Sequence, residues 1–232
     1  MAVLDQKVAL ITGAKGGLGG DVTKAFLQAG ATVAGVSRSI QSSDFPDARF
    51  TAFPAELSDG GAARKLAEDV AGRLGKIDIL VHLVGGFVGG QPIHETDDAT
   101  LDRMLDENLK STFHILRAVI PHMRNRGVGR ILAIGSRAAV EPSPGAGAYA
   151  ASKAALVSLI RTIAVENKDR CISANVVLPG TMDTPKNRKA MRQADYSKWV
   201  QPAQVASLLV VLAADSVSQI SGAVIPVYGA EL

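Results

Sequence analysis

Tyr149 and Lys153 stand four residues apart in the run Tyr149-Ala-Ala-Ser-Lys153. On a helix that spacing puts both side chains on one face. A nearby ammonium favours the phenolate and lowers a tyrosine's pKa. A phenol tuned in this way can give a proton to a carbonyl oxygen, or take one from an alcohol, near neutral pH. Ser136, thirteen residues earlier, closes the apolar run Arg130–Gly135. A hydroxyl at the C-terminal end of a strand in an open α/β sheet is placed to hold a substrate oxygen. Taken singly, the tyrosine reads equally as a packing residue and the serine as a turn residue. Their convergence at one sheet edge favours chemistry.

A second group of residues is suited to phosphate. Gly13, Gly17 and Gly19 form a G-x-x-x-G-x-G pattern, with Lys15 and Leu18 inside it. The pattern follows an apolar strand and opens a helix. Glycines let the backbone turn tightly and approach a pyrophosphate, and the helix N-terminus offers N–H groups and a positive dipole end. Beyond the second apolar run come Ser37, Arg38 and Ser39, with no acid among them. An acid there would bond the ribose 2′-hydroxyl of NAD, whereas arginine suits a 2′-phosphate. NADP(H) is therefore the expected cofactor, with NAD(H) as the weaker option, and Lys15 adds charge to the same pocket.

Composition removes other classes of function. The 232 residues carry a net charge of +3, and 47% are apolar. That is globular composition, and no Lys/Arg stripe dense enough for a nucleic-acid binder is present. A single cysteine excludes an internal disulfide and a cysteine-rich metal site. His94, His114 and His122 lack metal-ligand spacing and are expected at surfaces; no metal is expected. No uninterrupted apolar run of membrane-spanning length and no signal-peptide pattern is found. A cytoplasmic protein that acts on a small molecule, with neither nucleic acid nor membrane as partner, is the expectation.

The elements that must position these residues alternate. Strands are predicted at Lys7–Thr12, Ala31–Val36, Arg49–Phe53, Ile77–Val84, Arg130–Gly135, Ile172–Leu178 and Ala223–Val227. Helices are predicted at Asp21–Ala29, Leu57–Leu74, Leu101–Arg124 and Tyr149–Glu166. Alternation of this kind argues βαβ units. The expected fold is a single-domain, Rossmann-type α/β structure over residues 1–232: a doubly wound parallel sheet with helices on both faces.

Together these residues resemble the short-chain dehydrogenase/reductase family over essentially the whole chain. Thr12-Gly-x-x-x-Gly-x-Gly19 is similar to its cofactor loop. Asn108, Ser136, Tyr149 and Lys153 are similar to its catalytic tetrad. Pro179-Gly180-Thr181 with Thr184 is similar to the segment that touches the nicotinamide carboxamide. The resemblance implies Tyr149 as general acid/base, with Lys153 lowering its pKa and holding the nicotinamide ribose. It implies that Ser136 orients the carbonyl and that Asn108 supports a water relay. It places Glu56-Leu57 against the adenine, and Val84 and Gly85 at the cofactor. His82-Leu83-Val84-Gly85 departs from the family's Asn-Asn-Ala-Gly, and His82 reads as a structural substitute. The family's oligomers imply a homodimer or homotetramer built through the long middle helices.

A narrower resemblance, to dihydropteridine reductases, rests on Gly85-Gly-Phe87-Val-Gly-Gly90 and on the segment from Asp183 to Trp199. It implies a substrate lid over residues 185–200, with Phe87 and Trp199 at a flat substrate. The leading expectation is an NADP(H)-dependent oxidoreductase moving hydride between the nicotinamide and a carbonyl or alcohol. Reduction of quinonoid dihydropterin is the alternative. A non-catalytic redox sensor would bind the dinucleotide but has no need of four tetrad residues.

Overall fold

The computed structural model describes residues 2–57 and 59–230. Its strands are β1 (Val8–Thr12), β2 (Thr32–Ser37), β3 (Phe50–Pro54), β4 (Ile79–His82), β5 (Gly129–Ile134), β6 (Ile172–Pro179) and β7 (Val224–Val227). They form one parallel sheet in the order β3-β2-β1-β4-β5-β6-β7. The strands are nearly continuous apolar runs because both faces are covered, as parallel sheets require. Helices α1 (Gly19–Gln28), α2 (Gly60–Leu74), α3 (Asp98–Leu105), α4 (Ser111–Arg126), α5 (Gly147–Glu166), α6 (Pro185–Ala190) and α7 (Pro202–Ala213) complete the chain.

Side chains alternate between the sheet's two faces, so there are two cores. On one face Ile11, Ile79, Val81 and Leu132 pack with Val22 and Phe26 of α1 and Leu209 of α7. On the other, Leu10, Leu80 and Ile131 pack with Leu66 of α2, Ile115 of α4 and Leu156 of α5. The order reverses between β1 and β4, which pair directly, Thr12 lying opposite His82. Such a switch point opens a crevice at the C-terminal strand ends. The expected fold class is thus the observed one.

Three elements differ from the sequence reading. The expected helix Leu101–Arg124 is α3 and α4 joined by a π-helical turn, Asp106–Lys110. The expected helix Leu57–Leu74 begins only at Gly60, where the Asp59 carboxylate caps the amides of Gly61 and Ala62 at 2.7 and 3.0 Å. Helix α7 has no counterpart among the predicted helices. It is apolar around most of its circumference, so no polar stripe marks its period. Helix α5 is long and apolar enough in composition to cross a membrane. Here it lies on the sheet, with Leu156, Ile160 and Ile163 in the core.

Candidate active site

Ser136 follows β5 in extended backbone, and its Oγ accepts from the Ala138 amide at 3.2 Å, starting a short 3₁₀ turn. The same hydroxyl lies near enough to the Tyr149 phenol to act on its acidity. Tyr149 lies half-buried in the first turn of α5, and Lys153 one turn on is 5% exposed. The Lys153 Nζ donates to the Ile134 carbonyl at 2.9 Å, which ties the helix to the end of β5. Ser136 at the end of β5 and Tyr149 and Lys153 on the first turns of α5 thus lie around one strand end.

Their electrostatics correct one expectation. Burial raises the Tyr149 pKa above its ordinary value, and the Ser136 hydroxyl is what opposes the rise. Lys153 was expected to lower the tyrosine. Instead its ammonium is directed into the protein toward Ile134, where burial pushes its own pKa down to about 8. A lysine so perturbed exchanges its proton readily near neutral pH.

Asn108 sits fully buried in the π turn. Its amide nitrogen donates to the Gly86 carbonyl at 3.1 Å and to Ser152 Oγ at 3.0 Å, and its Oδ1 accepts from the Gly86 amide at 3.0 Å. The side chain is thus spent on holding the loop after β4 against α5. A Cβ at Gly85 would lie 2.7 Å from Asn108 Oδ1 and 3.1 Å from Lys153 Nζ, so only glycine lets that loop pass over the tetrad. Ser152 and the Ile134 carbonyl are site members that the sequence reading did not name. A serine beside a lysine carries no distinct sequence signal, and a carbonyl carries none at all.

The glycine loop has the shape a pyrophosphate needs. Gly13 has φ +73°, a conformation suited to glycine, and a Cβ at Gly19 would collide with the Gly13 carbonyl oxygen. A Cβ at Gly17 would press Thr184 at 3.0 Å. Leu18 offers α1 no side-chain cap, so the helix N-terminus has backbone N–H groups for an anion. These features fit a dinucleotide. Its far end would meet Ser37 and Arg38 at the end of β2. Arg38 is 80% exposed and pairs loosely with Glu56 at 3.7 Å. Lys15 is held by Asp44 at 2.9 Å and donates to the Ser39 carbonyl at 3.2 Å. Both cations thus face a carboxylate, and Asp44 is an acid in this region that the sequence reading did not consider. Leu57 is buried in the core beside α2, while Val84 and Gly85 continue β4 toward the tetrad. Pro179 ends β6, and Gly180 fits under the Tyr228 backbone, where a Cβ would be 2.9 Å from the carbonyl oxygen. Thr181 accepts the Val200 amide at 2.8 Å.

Residues 183–199 form an excursion pinned at its neck, where Met182 pairs with Val200. Thr184 caps α6 through the Asn187 amide. Asp183 binds Arg188 (2.7 Å to Nη2), the Arg188 guanidinium lies 4.7 Å over Tyr196, and Tyr196 packs on Trp199 at 4.7 Å. Trp199, expected at the substrate, is only 5% exposed and serves this internal stack. Phe87 is different. It is 57% exposed, and its ring meets Tyr149 edge-on at 5.0 Å. Among the histidines, His94 is exposed, but His114 and His122 are half-buried on α4 rather than fully at the surface. Among the described residues no group of three or more His, Cys, Asp or Glu could hold a metal ion.

A seven-stranded parallel sheet with a glycine cradle at its switch point and a Ser-Tyr-Lys cluster beside it defines a dinucleotide-dependent oxidoreductase. The chain belongs to the short-chain dehydrogenase family, whose model matches residues 7–195. It is 31% identical to the 3-oxoacyl-(acyl-carrier-protein) reductase FabG of Thermotoga maritima, covering 97% of this chain and 98% of that one. The structure of a short-chain dehydrogenase/reductase from Serratia marcescens superposes with a TM-score of 0.90 at 31% identity, covering 98% of both chains. That of a 3-ketoacyl-(acyl-carrier-protein) reductase from Brucella melitensis, complexed with NADH, gives 0.86 at 27% identity over 97% and 98%.

Proposed function

We propose that the protein is an NADP(H)-dependent carbonyl reductase that uses Asn108, Ser136, Tyr149 and Lys153. The observation that carries this reading is the Ser136–Tyr149–Lys153 arrangement at the end of β5, adjoining a glycine loop shaped for a dinucleotide. The cofactor supplies the hydride that reaches the carbonyl carbon. Ser136 and Tyr149 hold the carbonyl oxygen, and the Tyr149 O–H gives it a proton as the C–O⁻ charge develops. A tyrosine whose pKa is raised by burial is fully protonated near neutral pH, which suits an acid in the reductive direction. Lys153 then returns a proton to the phenolate, and its depressed pKa makes that release easy.

The similarity to FabG-type reductases favours a 3-oxoacyl thioester or a comparable ketone. A planar ring, a quinone or quinonoid dihydropterin, is the second reading, favoured by the exposed Phe87 ring beside Tyr149. The test is a substrate panel run with NADPH and NADH: a 3-oxoacyl thioester, simple ketones, a quinone and quinonoid dihydropterin. Turnover of a carbonyl with NADPH supports the proposal. Tight dinucleotide binding with no turnover of any of them would favour a sensor.

A further inference from the structure

His82 ends β4, where the strand meets the site. It is 2% exposed, and of its two ring nitrogens only Nδ1 has a partner, the Thr12 hydroxyl at 2.7 Å. Nε2 is buried with none. A buried polar atom without a partner costs free energy, so a retained one points to a use.

The partnering fixes the tautomer. Thr12 Oγ1 already accepts the Leu83 amide at 3.3 Å. Its own proton has no other described acceptor than His82 Nδ1. Donation from the hydroxyl to Nδ1 gives both groups a partner, and on that assignment the ring proton resides on Nε2. The unpartnered atom is a donor.

Strand alternation shows what it faces. Leu80, two residues earlier, belongs to the core under α4 and α5, as does Ala133, the β5 partner of His82. His82 thus points to the same face as α5. There Lys153 reaches down to bond the carbonyl of Ile134, the residue next to Ala133. Burial, and after it the lysine's charge, pulls the His82 pKa down to about 3. The imidazole is therefore neutral wherever the enzyme would work.

We propose that His82 is a positioning residue for the reaction, whose Nε2–H donates to the neutral amine of Lys153 once that lysine has passed its proton toward Tyr149. The proton count closes. Tyr149 loses its proton to the substrate alkoxide and regains one from the Lys153 ammonium. The resulting amine has a lone pair and accepts the His82 N–H. Solvent then restores the ammonium, and His82 itself gains or loses nothing. The neutral amine still donates to the Ile134 carbonyl, and the His82 donor satisfies the lone pair that deprotonation exposes, so the uncharged lysine stays fixed beside the site. Thr12 completes the set by fixing the tautomer.

This inference rests on the reading of Tyr149 and Lys153 given above, so Tyr149→Phe is measured in parallel; full activity in that variant would defeat the site reading, not the role of His82 alone. His82→Leu removes the donor, and His82→Asn replaces it with an amide N–H. Loss of a hydrogen-bonded partner behind a metal ligand typically costs on the order of 10–100-fold in activity, and a similar loss is expected behind a catalytic lysine. His82→Leu should lower kcat by that much, with KM for the carbonyl and Kd for NADP held within about twofold, and His82→Asn should restore most of kcat. If His82→Leu does not fold, nitrogen-15 NMR of the cofactor-bound wild type decides. It should show His82 as the neutral Nε2–H tautomer. Lys153→Met should move that resonance and leave those of His94, His114 and His122 in place. A kcat for His82→Leu within about twofold of wild type, equal damage by both substitutions, an Nδ1–H tautomer, or an unmoved resonance would each overturn the proposal.

Discussion

At the scale of single residues, the adenosine end of the cofactor site is a balance of charges. Arg38, by its place after β2, is the residue expected at a 2′-phosphate. Glu56 is expected at the adenine, but its pairing with Arg38 carries no sequence signal, because the contact joins the ends of two strands. Lys15 likewise faces Asp44, 29 residues further along the chain (44 − 15). A 2′-phosphate must compete with both carboxylates. Charge-assisted hydrogen bonds contribute about 1.5–3 kcal/mol each, so Arg38→Asp should shift the ratio of kcat/KM from NADPH toward NADH by about tenfold or more. Glu56→Gln should move the ratio the other way by a smaller factor, since both side chains are largely exposed and water screens their attraction. Wild-type enzyme that already uses NADH as well as NADPH would show that Arg38 does not select the cofactor.

At the scale of elements, the site depends on loops that glycine alone permits and on strands held in register by buried polar groups. Gly19→Ala would push a Cβ into the Gly13 carbonyl and 2.7 Å from the Ala14 backbone. It should weaken dinucleotide binding by at least about tenfold, measured by titration, while the sheet persists in circular dichroism. Asp78 is nearly buried just before β4, accepting the Val8 amide at 2.8 Å and pairing with Lys76 at 2.9 Å. Asp78→Ala orphans that amide at the start of β1 and should cost about 1–3 kcal/mol. That corresponds to roughly 2–4 °C in Tm for each kcal/mol, with folded-state activity retained because the site lies at the opposite strand ends. What the sequence made legible follows from these physical sources. The strands were readable because burial on both faces leaves continuous apolar runs. The Tyr149–Lys153 pair was readable because it shares one helical turn. The π turn at Asn108 was not, since one extra residue in a helix leaves the apolar pattern on both sides intact. The buried Trp199 was misleading for a different reason. The resemblance places it at a flat substrate, whereas Tyr196 packs on it beneath the Arg188 guanidinium and keeps it inside the segment.

At the scale of the whole molecule, three apolar side chains on the middle helices remain open: Leu101 on α3, Phe113 on α4 and Val165 on α5. Open apolar side chains on these helices are the places where a second copy is expected to associate. Sedimentation should show a dimer or tetramer, and Phe113→Glu should shift it toward smaller species; a wild-type monomer at micromolar concentration would contradict this assignment. The central claim is that this fold joins a dinucleotide cradle to a proton-donating Tyr149. The most direct test compares single-turnover carbonyl reduction by NADPH in wild type and Tyr149→Phe, with NADPH affinity measured on the same samples. Positioned acid catalysis contributes ~10²–10⁴ in rate. The account predicts a loss of that size in the reduction step with NADPH affinity unchanged. A Tyr149→Phe rate within about twofold of wild type would contradict it.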